Sequence, residues 1–259
     1  MTPTDPARTL RVEHRHGGVL VMTMQRPERR NAVDQPLADA IDAAMHRLEH
    51  EDGLRVGVLT GDGGYFSAGT DLTLEASPTT PDGGEYGFVR RSRTRPLIAA
   101  VEGFALGGGM EMVLACDLVV AAEDAVLGLP ETLRGVVANC GALFRAPERL
   151  GPQVAMELLL TGSRLAAPRA HALGLVNRLA PPGAALDTAL ELATEVCGAS
   201  PDAVAATLRA AFASRTRREA DEWELTERAA AEAAASPDRA EGIAAFFAKR
   251  TPRWAHPGT

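Results

Sequence analysis

Residues 97–121 read LIAAVEGFALGGGMEMVLACDLVVA, and this stretch decides the fold. Apolar runs at residues 97–101 and 117–121 are typical of two strands. Between them a glycine-rich turn opens an apolar segment of helical length at about residues 107–115. The order of strand, helix and strand predicts an α/β fold.

The same alternation is present on the N-terminal side of this stretch. Residues 10–16 and 19–24 predict two strands, and Gly17-Gly18 between them suits a tight hairpin turn. Residues 56–60 predict a further buried strand. A helix is predicted over residues 34–50, before this strand, because apolar residues form a stripe along one face of the helix. The members of that stripe are Leu37, Ile41, Met45 and Leu48.

Later segments change in character. Residues 76–84 are rich in Pro, Gly, Ser and Thr and predict a mobile loop, followed by a helix that ends near residue 95. After residue 141 the pattern is helical apart from a short strand at residues 175–179. Amphipathic, alanine-rich helices that could pack on a body or on a neighbouring subunit are predicted at residues 186–197, 201–213, 217–235 and 237–250.

Length and charge limit the classes of function. The 259 residues are 46% apolar, which is enough for one sizeable core. We divide the chain into two segments, residues 1–185 and residues 186–259. The net charge of −7 comes without a long block of either sign, so neither nucleic acid nor an anionic membrane is an expected partner. The first eleven residues lack the apolar segment of a secretion signal. We therefore expect a cytoplasmic protein.

Cysteine usage agrees with a reducing compartment. Cys116, Cys140 and Cys197 form neither a close pair nor an even set, as expected for a cytoplasmic protein without a disulfide framework. We interpret them as small core residues. Cys140 is of special interest because it falls close to the candidate site.

The candidate site begins with the glycines at residues 107–109. Glycines at a helix start leave backbone N–H groups unpaired and unobstructed, so an oxygen that gains negative charge can approach them. Glu111 lies three residues beyond Gly108 on the same helix face, which makes it a candidate general base. Glu131 follows Pro130, whose fixed φ limits how the chain presents it. Two carboxylates in different surroundings can divide acid and base roles. Alternatively, the glycines only form a turn and both glutamates are solvated.

Two segments resemble motifs of the crotonase (enoyl-CoA hydratase/isomerase) superfamily. FSAGTDL at residues 66–72 resembles F-x-A-G-x-D-[LIV], and GFALGGGME at residues 103–111 resembles G-x-A-x-G-G-G-x-E. The separation of Glu111 and Glu131, 131 − 111 = 20, is also similar to that of the two catalytic glutamates of the hydratases. Further matches extend over nearly the whole chain, at Arg26-Pro27, Asn31-Ala32, Leu160-Thr161-Gly162, residues 172–176, Glu241-Gly242 and residues 246–250.

This resemblance implies an architecture and a set of binding residues. The expected fold is a crotonase-like spiral of ββα units, with a C-terminal helical region that forms homotrimers or pairs of trimers and completes the coenzyme A site. The backbone N–H groups of Thr70 and Gly108 would form the oxyanion hole. Ala68 would contact the adenine end of coenzyme A. The candidate substrate- and coenzyme A-binding residues are Arg29, Arg30, Ala32, Ala68, Asp71, Leu72, Gly107, Phe246 and Lys249.

Three of these residues have particular expectations. Phe246 and Lys249 match residues that reach the coenzyme A of an adjacent subunit, although Lys249 could instead be a solvated cation at a helix end. Asp71 is expected to cap the next turn rather than to act chemically.

The implied reaction is hydration of the 2,3 double bond of an enoyl-CoA. Two fixed N–H donors would stabilise the enolate, and the loss of one such donor typically costs about 3 kcal/mol. Glu111 would activate water, and Glu131 would supply the proton to the α-carbon. Coenzyme A enters as part of the substrate, so no separate cofactor and no metal are expected. Two alternatives remain open: an isomerase, which could use one carboxylate, and a non-catalytic acyl-CoA binding protein, which needs neither.

One loop departs from the family pattern. After Glu131 the hydratases often carry a turn rich in Pro and Gly, whereas residues 135–141 read GVVANCG here. The loop would border the acyl pocket, so the acyl preference is not fixed by the resemblance.

Other signals are assigned structural roles. HRLEH at residues 46–50 fits an inverted zinc-protease pattern, but both histidines face away from the apolar helix stripe. His14 and His16 share a strand face without a third ligand. The arginines at positions 90, 91, 93 and 95 predict a solvated helix face rather than a phosphate clamp.

Overall fold

The computed structural model describes residues 9–255, apart from the side chains of residues 215–218. Residues 1–8 of the predicted segment 1–185 and residues 256–259 of the predicted segment 186–259 lie outside the described residues. The strands are β1 (Leu10–Arg15), β2 (Val19–Met24), β3 (Val56–Gly61), β4 (Thr79–Thr80), β5 (Gly84–Glu85), β6 (Leu97–Val101), β7 (Phe104–Leu106), β8 (Leu118–Ala122), β9 (Val126–Gly128), β10 (Arg164–Ala166) and β11 (Arg178–Ala180). The α-helices are α1 (Gln35–His50), α2 (Gly108–Ala115), α3 (Ala142–Leu150), α4 (Pro152–Thr161), α5 (Ala167–Ala172), α6 (Ala185–Gly198), α7 (Pro201–Ala235) and α8 (Pro237–Phe247).

A six-stranded sheet lies at the centre, in the order β1-β2-β3-β6-β8-β11. The β1-β2 pair is antiparallel, and the other neighbouring pairs are parallel. The predicted hairpin at Gly17-Gly18 is present, and both glycines have the positive φ that a two-residue turn of this kind requires. The α/β class predicted from the sequence is confirmed.

Both faces of this sheet are covered, which explains its apolar strands. Because side chains alternate along a strand, Leu20 and Met22 of β2 enter the larger core, whereas Val19 and Val21 point to the other face. On that second face α6 contributes its buried residues Ala185, Ala189, Leu192 and Ala193. The α6 helix therefore packs directly on the central sheet.

Helix α1 covers the larger core from the opposite side. Asp34 accepts a hydrogen bond from the Leu37 N–H at 3.1 Å and so caps the helix, as expected for an acidic residue at this position. Its apolar stripe is fully buried, including Ile41, Met45 and Leu48. The predicted helix and its stripe are confirmed.

A smaller sheet brings the glycine-rich turn beside Glu131. Strand β7 pairs with β9 in parallel, and β9 pairs with β10 in the antiparallel sense. Parallel neighbours end at the same edge, so the helix α2 that follows β7 begins next to the segment that follows β9. The Gly107 N–H donates to the Gly128 carbonyl at 2.9 Å and joins these two ends.

The C-terminal helices return to the body of the same chain. Glu219 of α7 accepts two hydrogen bonds from the Arg145 guanidinium at 3.0 and 2.9 Å. Trp223 packs edge-on against Phe144, with ring centroids 5.0 Å apart. Helix α8 packs on a short 3₁₀ helix, Thr132–Arg134, that directly follows Glu131.

Two predictions for the segment between residues 76 and 95 are wrong. The segment predicted as a mobile loop at residues 76–84 contains most of the β4-β5 hairpin, in which Thr80 is buried. No helix follows it, because Tyr86 and Gly87 have φ values of 55° and 82°, outside the right-handed helical region. The chain instead forms successive turns up to residue 90.

Two predictions for the C-terminal half also need correction. The helices predicted at residues 201–213 and 217–235 are one continuous helix, α7, because no glycine or proline interrupts them. The strand predicted at residues 175–179 begins only at Arg178, and the β10 strand was not predicted at all. Both strands have three residues, too few for a periodic signal.

Within residues 9–255, no helix combines the length and the apolar character that a membrane span requires.

Candidate active site

The loop of residues 67–70 packs closely on the first turn of α2. At Gly69 a β-carbon would lie 2.6 Å from the Gly108 nitrogen, and at Gly109 it would lie 2.3 Å from the Ser67 carbonyl oxygen. Gly69 also has a φ of 93°, which side chains rarely adopt. Glycine at both positions therefore lets two separate backbone segments meet.

Thr70 and Gly108 place two unused backbone donors at this contact. Hydrogen bonds from Val33 to the Gly69 carbonyl, at 2.8 Å, and from Asp71 to the Val33 carbonyl, at 3.0 Å, fix the backbone on either side of Thr70. Gly108 is the first residue of α2, where an N–H group has no acceptor within its helix. Among the described residues, neither the Thr70 N–H nor the Gly108 N–H donates a hydrogen bond. An anion could be bound there.

Glu111 lies one turn further along α2 and is buried. Its Oε1 accepts hydrogen bonds from the Cys140 N–H at 2.7 Å and from the Ala142 N–H at 3.1 Å. Both donors belong to the segment that leads into α3. This loop, which departs from the family pattern, therefore holds the Glu111 carboxylate in place.

Glu131 approaches the same turn from the end of β9. Its Oε1 would be 3.4 Å from a β-carbon at Gly107. Both carboxyl oxygens are buried, and neither has a hydrogen-bond partner among the described residues. A buried carboxyl group without a partner is costly, so its cost must be offset by a protonated state or by a ligand.

Burial changes the acidity of both glutamates. It raises the pKa of Glu111 to about 7, although the hydrogen bonds from Ala142 and Cys140 act in the opposite direction. It raises the pKa of Glu131 to about 8, and the charge of Glu111 adds to this rise. Because the charge of Glu111 opposes ionisation of Glu131, the pair retains a proton near neutral pH. The N–H donors favour the charged form of Glu111, so the proton resides mainly on Glu131.

A group of polar side chains lies on the other side of the α2 start. We call Thr70, Ser77, Tyr86, Asn139 and Cys140 the polar cluster. At Gly108 a β-carbon would lie 2.0 Å from the Tyr86 hydroxyl, so only glycine leaves room for that hydroxyl. The Tyr86 hydroxyl is 2.7 Å from Thr70 Oγ1 and 3.3 Å from Cys140 Sγ.

Part of the polar cluster was not predicted from the sequence. Thr70 and Cys140 had been placed in or near the site, and Asn139 belongs to the loop at residues 135–141 that was expected to border the acyl pocket. Ser77 and Tyr86 fall in the segment whose structure was predicted wrongly, and no local pattern indicates where their side chains point.

The segments proposed for coenzyme A binding do lie together. The Ala68 N–H donates to the Arg30 carbonyl at 3.0 Å, and the Ala32 N–H donates to the Arg29 carbonyl at 3.1 Å. The side chains of Arg29 and Arg30 are exposed, and Ala32 and Ala68 are half-buried. This surface lies beside the loop of residues 67–70.

Asp71 has the turn-capping contacts expected of it. It accepts hydrogen bonds from the Thr73 hydroxyl at 2.8 Å and the Thr73 N–H at 3.2 Å. Burial acts to raise its pKa, but the bonds from Thr73 and the charge of Arg26 outweigh that effect, and the net pKa is lowered. The neighbouring Leu72 is half-buried, and Gly107 is buried directly before α2.

The remaining two predicted ligands lie at the end of α8. Phe246 is 44% exposed, and its ring lies 4.7 Å from the guanidinium carbon of Arg134. Lys249 is exposed, with a φ of 51°.

The signals given structural roles have the following surroundings. His46 and His50 are exposed and stacked on each other, with ring centroids 4.1 Å apart. No group of three or more potential metal-binding side chains occurs in the described part of the chain. Cys116 and Cys140 are buried and Cys197 is half-buried; all three are free thiols.

The prediction for the arginine group is wrong. Arg90 pairs with Glu85 at 2.8 Å, Arg91 pairs with Asp42, and the buried Arg93 pairs with Asp117 at 3.0 Å. Arg95 donates to the Glu51 carbonyl at 2.8 Å and to the Leu48 carbonyl. These residues occupy turns rather than a helix, and their contacts hold the turns against the body.

The chain is similar to known proteins over most of its length. A sequence model described as enoyl-CoA hydratase/isomerase matches residues 14–257. The chain is 37% identical over 245 residues to the mevalonyl-coenzyme A hydratase sidH of Aspergillus fumigatus, covering 91% of each protein. It is 36% identical over 252 residues to the carnitinyl-CoA dehydratase of Citrobacter koseri, covering 93% of this chain and 96% of that protein.

A solved structure is also similar. The carnitinyl-CoA hydratase from Mycobacterium avium superimposes with a TM-score of 0.91 at 38% identity. The alignment covers 96% of this chain and 99% of that chain. The arrangement of strands and helices described above is therefore shared with a solved protein over nearly its full length.

Proposed function

Because the chain belongs to the enoyl-CoA hydratase/isomerase family, the crotonase superfamily, we propose that it adds water across the 2,3 double bond of an enoyl-CoA thioester. One observation carries this proposal. The buried Glu111 and Glu131, whose carboxyl oxygens are buried, both have raised pKa values and lie at a helix start whose Gly108 N–H has no acceptor among the described residues. Hydration needs an acid and a base close to a site that polarises the thioester.

The backbone supplies the polarisation. The N–H groups of Thr70 and Gly108 donate to the thioester oxygen and stabilise the negative charge that develops on it as the enolate forms. The helix α2 adds the positive end of its dipole. Withdrawal of electron density towards this oxygen makes the β-carbon electrophilic.

The glutamates divide the proton transfers. Glu111 is ionised and accepts hydrogen bonds from two N–H donors. It takes a proton from water while the water oxygen attacks the β-carbon. Glu131, the protonated partner, delivers its proton to the α-carbon. Dehydration uses the same groups in reverse. The named activities of the two relatives, a hydratase and a dehydratase of acyl-CoA thioesters, support a reversible reaction of this kind.

Three expectations remain part of the proposal. Coenzyme A binds as part of the substrate, with the backbone of residues 29–32 and Ala68 near its adenine end and no further cofactor. Phe246 and Lys249 act in an assembly of three or six copies, where they reach coenzyme A held by a neighbour. The enzyme works in the cytoplasm.

Hydration can be tested with crotonyl-CoA, whose conjugated thioester absorbance falls as water adds. Wild-type protein is expected to remove the absorbance, and Glu111→Gln and Glu131→Gln are each expected to lose at least about 100-fold in kcat, because each removes a proton-transfer group. Glu123→Gln, at an exposed glutamate, is the matched control and retains the rate.

The alternatives give different results in the same assay. An isomerase would leave crotonyl-CoA unchanged and would develop conjugated absorbance from a β,γ-unsaturated substrate. A binding protein would bind crotonyl-CoA in a calorimeter without changing it. Either result would refute hydration.

A further inference from the structure

The polar cluster forms one continuous hydrogen-bonded network. The Tyr86 hydroxyl lies 2.7 Å from Thr70 Oγ1, which lies 3.2 Å from Ser77 Oγ. Ser77 Oγ donates to Asn139 Oδ1 at 3.4 Å, and the Cys140 thiol reaches the same oxygen at 3.4 Å. Residues of the segment 70–86 therefore join Asn139 and Cys140, more than 50 residues later in the sequence, through neutral polar side chains.

Three contacts join this network to the proposed catalytic groups. Thr70 carries one of the proposed oxyanion donors, the Tyr86 hydroxyl lies against Gly108, and the Cys140 N–H donates to Glu111. Glu131 lies against the preceding residue, Gly107. An acyl group whose thioester oxygen accepts from the Thr70 and Gly108 N–H groups would therefore lie beside the Tyr86 hydroxyl of the polar cluster.

The cluster is suited to a neutral hydrogen-bonding ligand. Burial raises the pKa values of the Tyr86 hydroxyl and the Cys140 thiol well above their ordinary values, so both remain uncharged. Both partners of the Asn139 side chain in the described residues, Ser77 Oγ and Cys140 Sγ, donate to its oxygen, which leaves the Nδ2 donors available. Ser77 and Asn139 are half-buried, so a ligand in the site can reach them.

An alkyl tail would gain little beside these groups. It offers no hydrogen bond and would separate polar side chains from water without replacing their partners. A substrate hydroxyl can accept a hydrogen bond from Asn139 Nδ2 and donate one to Ser77 Oγ, so it can bind to both side chains at once.

We propose that the enzyme selects short enoyl-CoA substrates whose acyl group carries a hydroxyl just beyond the double bond, and that Ser77 and Asn139 determine this specificity. The inference rests on the proposed hydration and names its substrate class. The selectivity arises because Ser77 and Asn139 exchange contacts within the cluster for contacts with the substrate hydroxyl.

The test compares kcat/KM for 4-hydroxybut-2-enoyl-CoA, crotonyl-CoA and hex-2-enoyl-CoA. Wild-type protein is expected to prefer the hydroxylated substrate over crotonyl-CoA by at least about tenfold. This is less than the roughly 10⁴-fold discrimination of sites whose polar groups are left unpaired, because the cluster can bond to itself. Hex-2-enoyl-CoA is expected to be the poorest of the three.

Two variants connect the preference to the cluster. Ser77→Ala and Asn139→Leu are each expected to reduce the ratio of kcat/KM for the hydroxylated substrate to that for crotonyl-CoA by about fivefold, the loss typical of one hydrogen bond. Ser92→Ala, at an exposed serine outside the cluster, is the matched control and keeps the wild-type ratio. A ratio measured within one variant is insensitive to partial misfolding.

Other outcomes overturn the inference in recognisable ways. Equal or better hydration of the two alkyl substrates refutes hydroxyl selection while leaving hydration intact. A tenfold preference for 4-trimethylammoniobut-2-enoyl-CoA over the hydroxylated substrate would show that the pocket selects a cation instead. Failure to hydrate any of the four substrates refutes the proposed function, and the inference with it.

Discussion

At the residue scale, the two glutamates differ in one respect that fixes their roles. Glu111 accepts two backbone hydrogen bonds, whereas the buried oxygens of Glu131 accept none among the described residues. N–H donors stabilise a carboxylate, and an apolar enclosure stabilises the protonated acid. The difference in surroundings therefore favours Glu111 as the base and Glu131 as the acid.

The same difference predicts how stability depends on pH. A carboxyl group whose pKa is raised on folding binds more protons in the folded state, so the free energy of unfolding falls as pH rises through that interval. For Glu131 the interval runs from the ordinary value of 4.5 to about 8. Glu131→Gln is expected to flatten this slope and to be at least about 1 kcal/mol more stable than wild type at pH 8, since one pKa unit corresponds to about 1.4 kcal/mol.

Urea unfolding at pH 5, 6, 7 and 8 measures this effect. Glu123→Gln is the control and should follow the wild-type slope. The lowered pKa values of Asp71 and Glu241 do not interfere, because the stability they contribute is lost only below about pH 4.5. A Glu131→Gln protein with an unchanged slope would show that this carboxyl group is solvated.

At the element scale, the position of Glu131 depends on helix α8. A β-carbon at Gly242 of α8 would lie 2.3 Å from the carbonyl group of Arg134, and one at Gly135 would lie 2.4 Å from the Asp238 carbonyl oxygen. The helix and the 3₁₀ helix after Glu131 thus meet backbone to backbone. Neither can move without the other.

Gly242→Ala is therefore expected to disturb the catalytic acid from a distance. The methyl group would push α8 away from the 3₁₀ helix, and overpacking of this kind typically costs about 1–3 kcal/mol. We expect kcat to fall while the KM for crotonyl-CoA changes less, because Glu131 is displaced and the oxyanion loops are not. Steady-state kinetics and urea unfolding measure both effects.

Gly198→Ala is the matched control. Gly198 is the last residue of α6, and a β-carbon there would meet no atom within 4 Å. The kcat and stability of the Gly198→Ala protein should remain within the wild-type range. If Gly242→Ala also behaves like wild type, α8 does not position Glu131.

At the scale of the whole molecule, α7 is fastened to the body by a buried ion pair. Arg145 is 1% exposed, and its guanidinium donates to both Glu219 and the Val89 carbonyl, the latter at 3.0 Å. The guanidinium of Arg90 lies 3.8 Å from the ring centroid of Trp223, one turn further along α7. The segment around Tyr86 is consequently held between α3 and α7.

Removal of one charge from this pair should destabilise the protein. In Glu219→Gln the Arg145 charge remains buried without its counterion, and breaking a buried pair in this way typically costs about 3–5 kcal/mol. Glu224→Gln removes the exposed partner of Arg228 on the same helix and is expected to change stability by less than about 0.5 kcal/mol. Urea unfolding midpoints distinguish the two variants; similar midpoints would mean that α7 does not dock on the body as described.

Predictions from the sequence agree with the structure where the deciding interactions are between residues close together in the sequence. Local patterns predicted β1, β2, β3, β6 and α1 within one or two residues, because strand periodicity, helix stripes and caps are properties of neighbouring residues. The prediction for residues 76–95 failed because their composition resembles a loop, while their conformation depends on contacts with Asp42 and Asp117, which are distant in the sequence.

The sequence by itself determined the α/β class, the glycine-rich helix start and the identity of the two candidate glutamates. The reason is that glycine and carboxylate chemistry are local and are marked by residue type. Tertiary packing alone brings Glu131 to Gly107, through the parallel β7-β9 pair, places the Tyr86 hydroxyl against Gly108, and joins Ser77 to Asn139. Those contacts join segments about 20 to 60 residues apart, and their geometry depends on packing of the whole chain, which no single segment encodes.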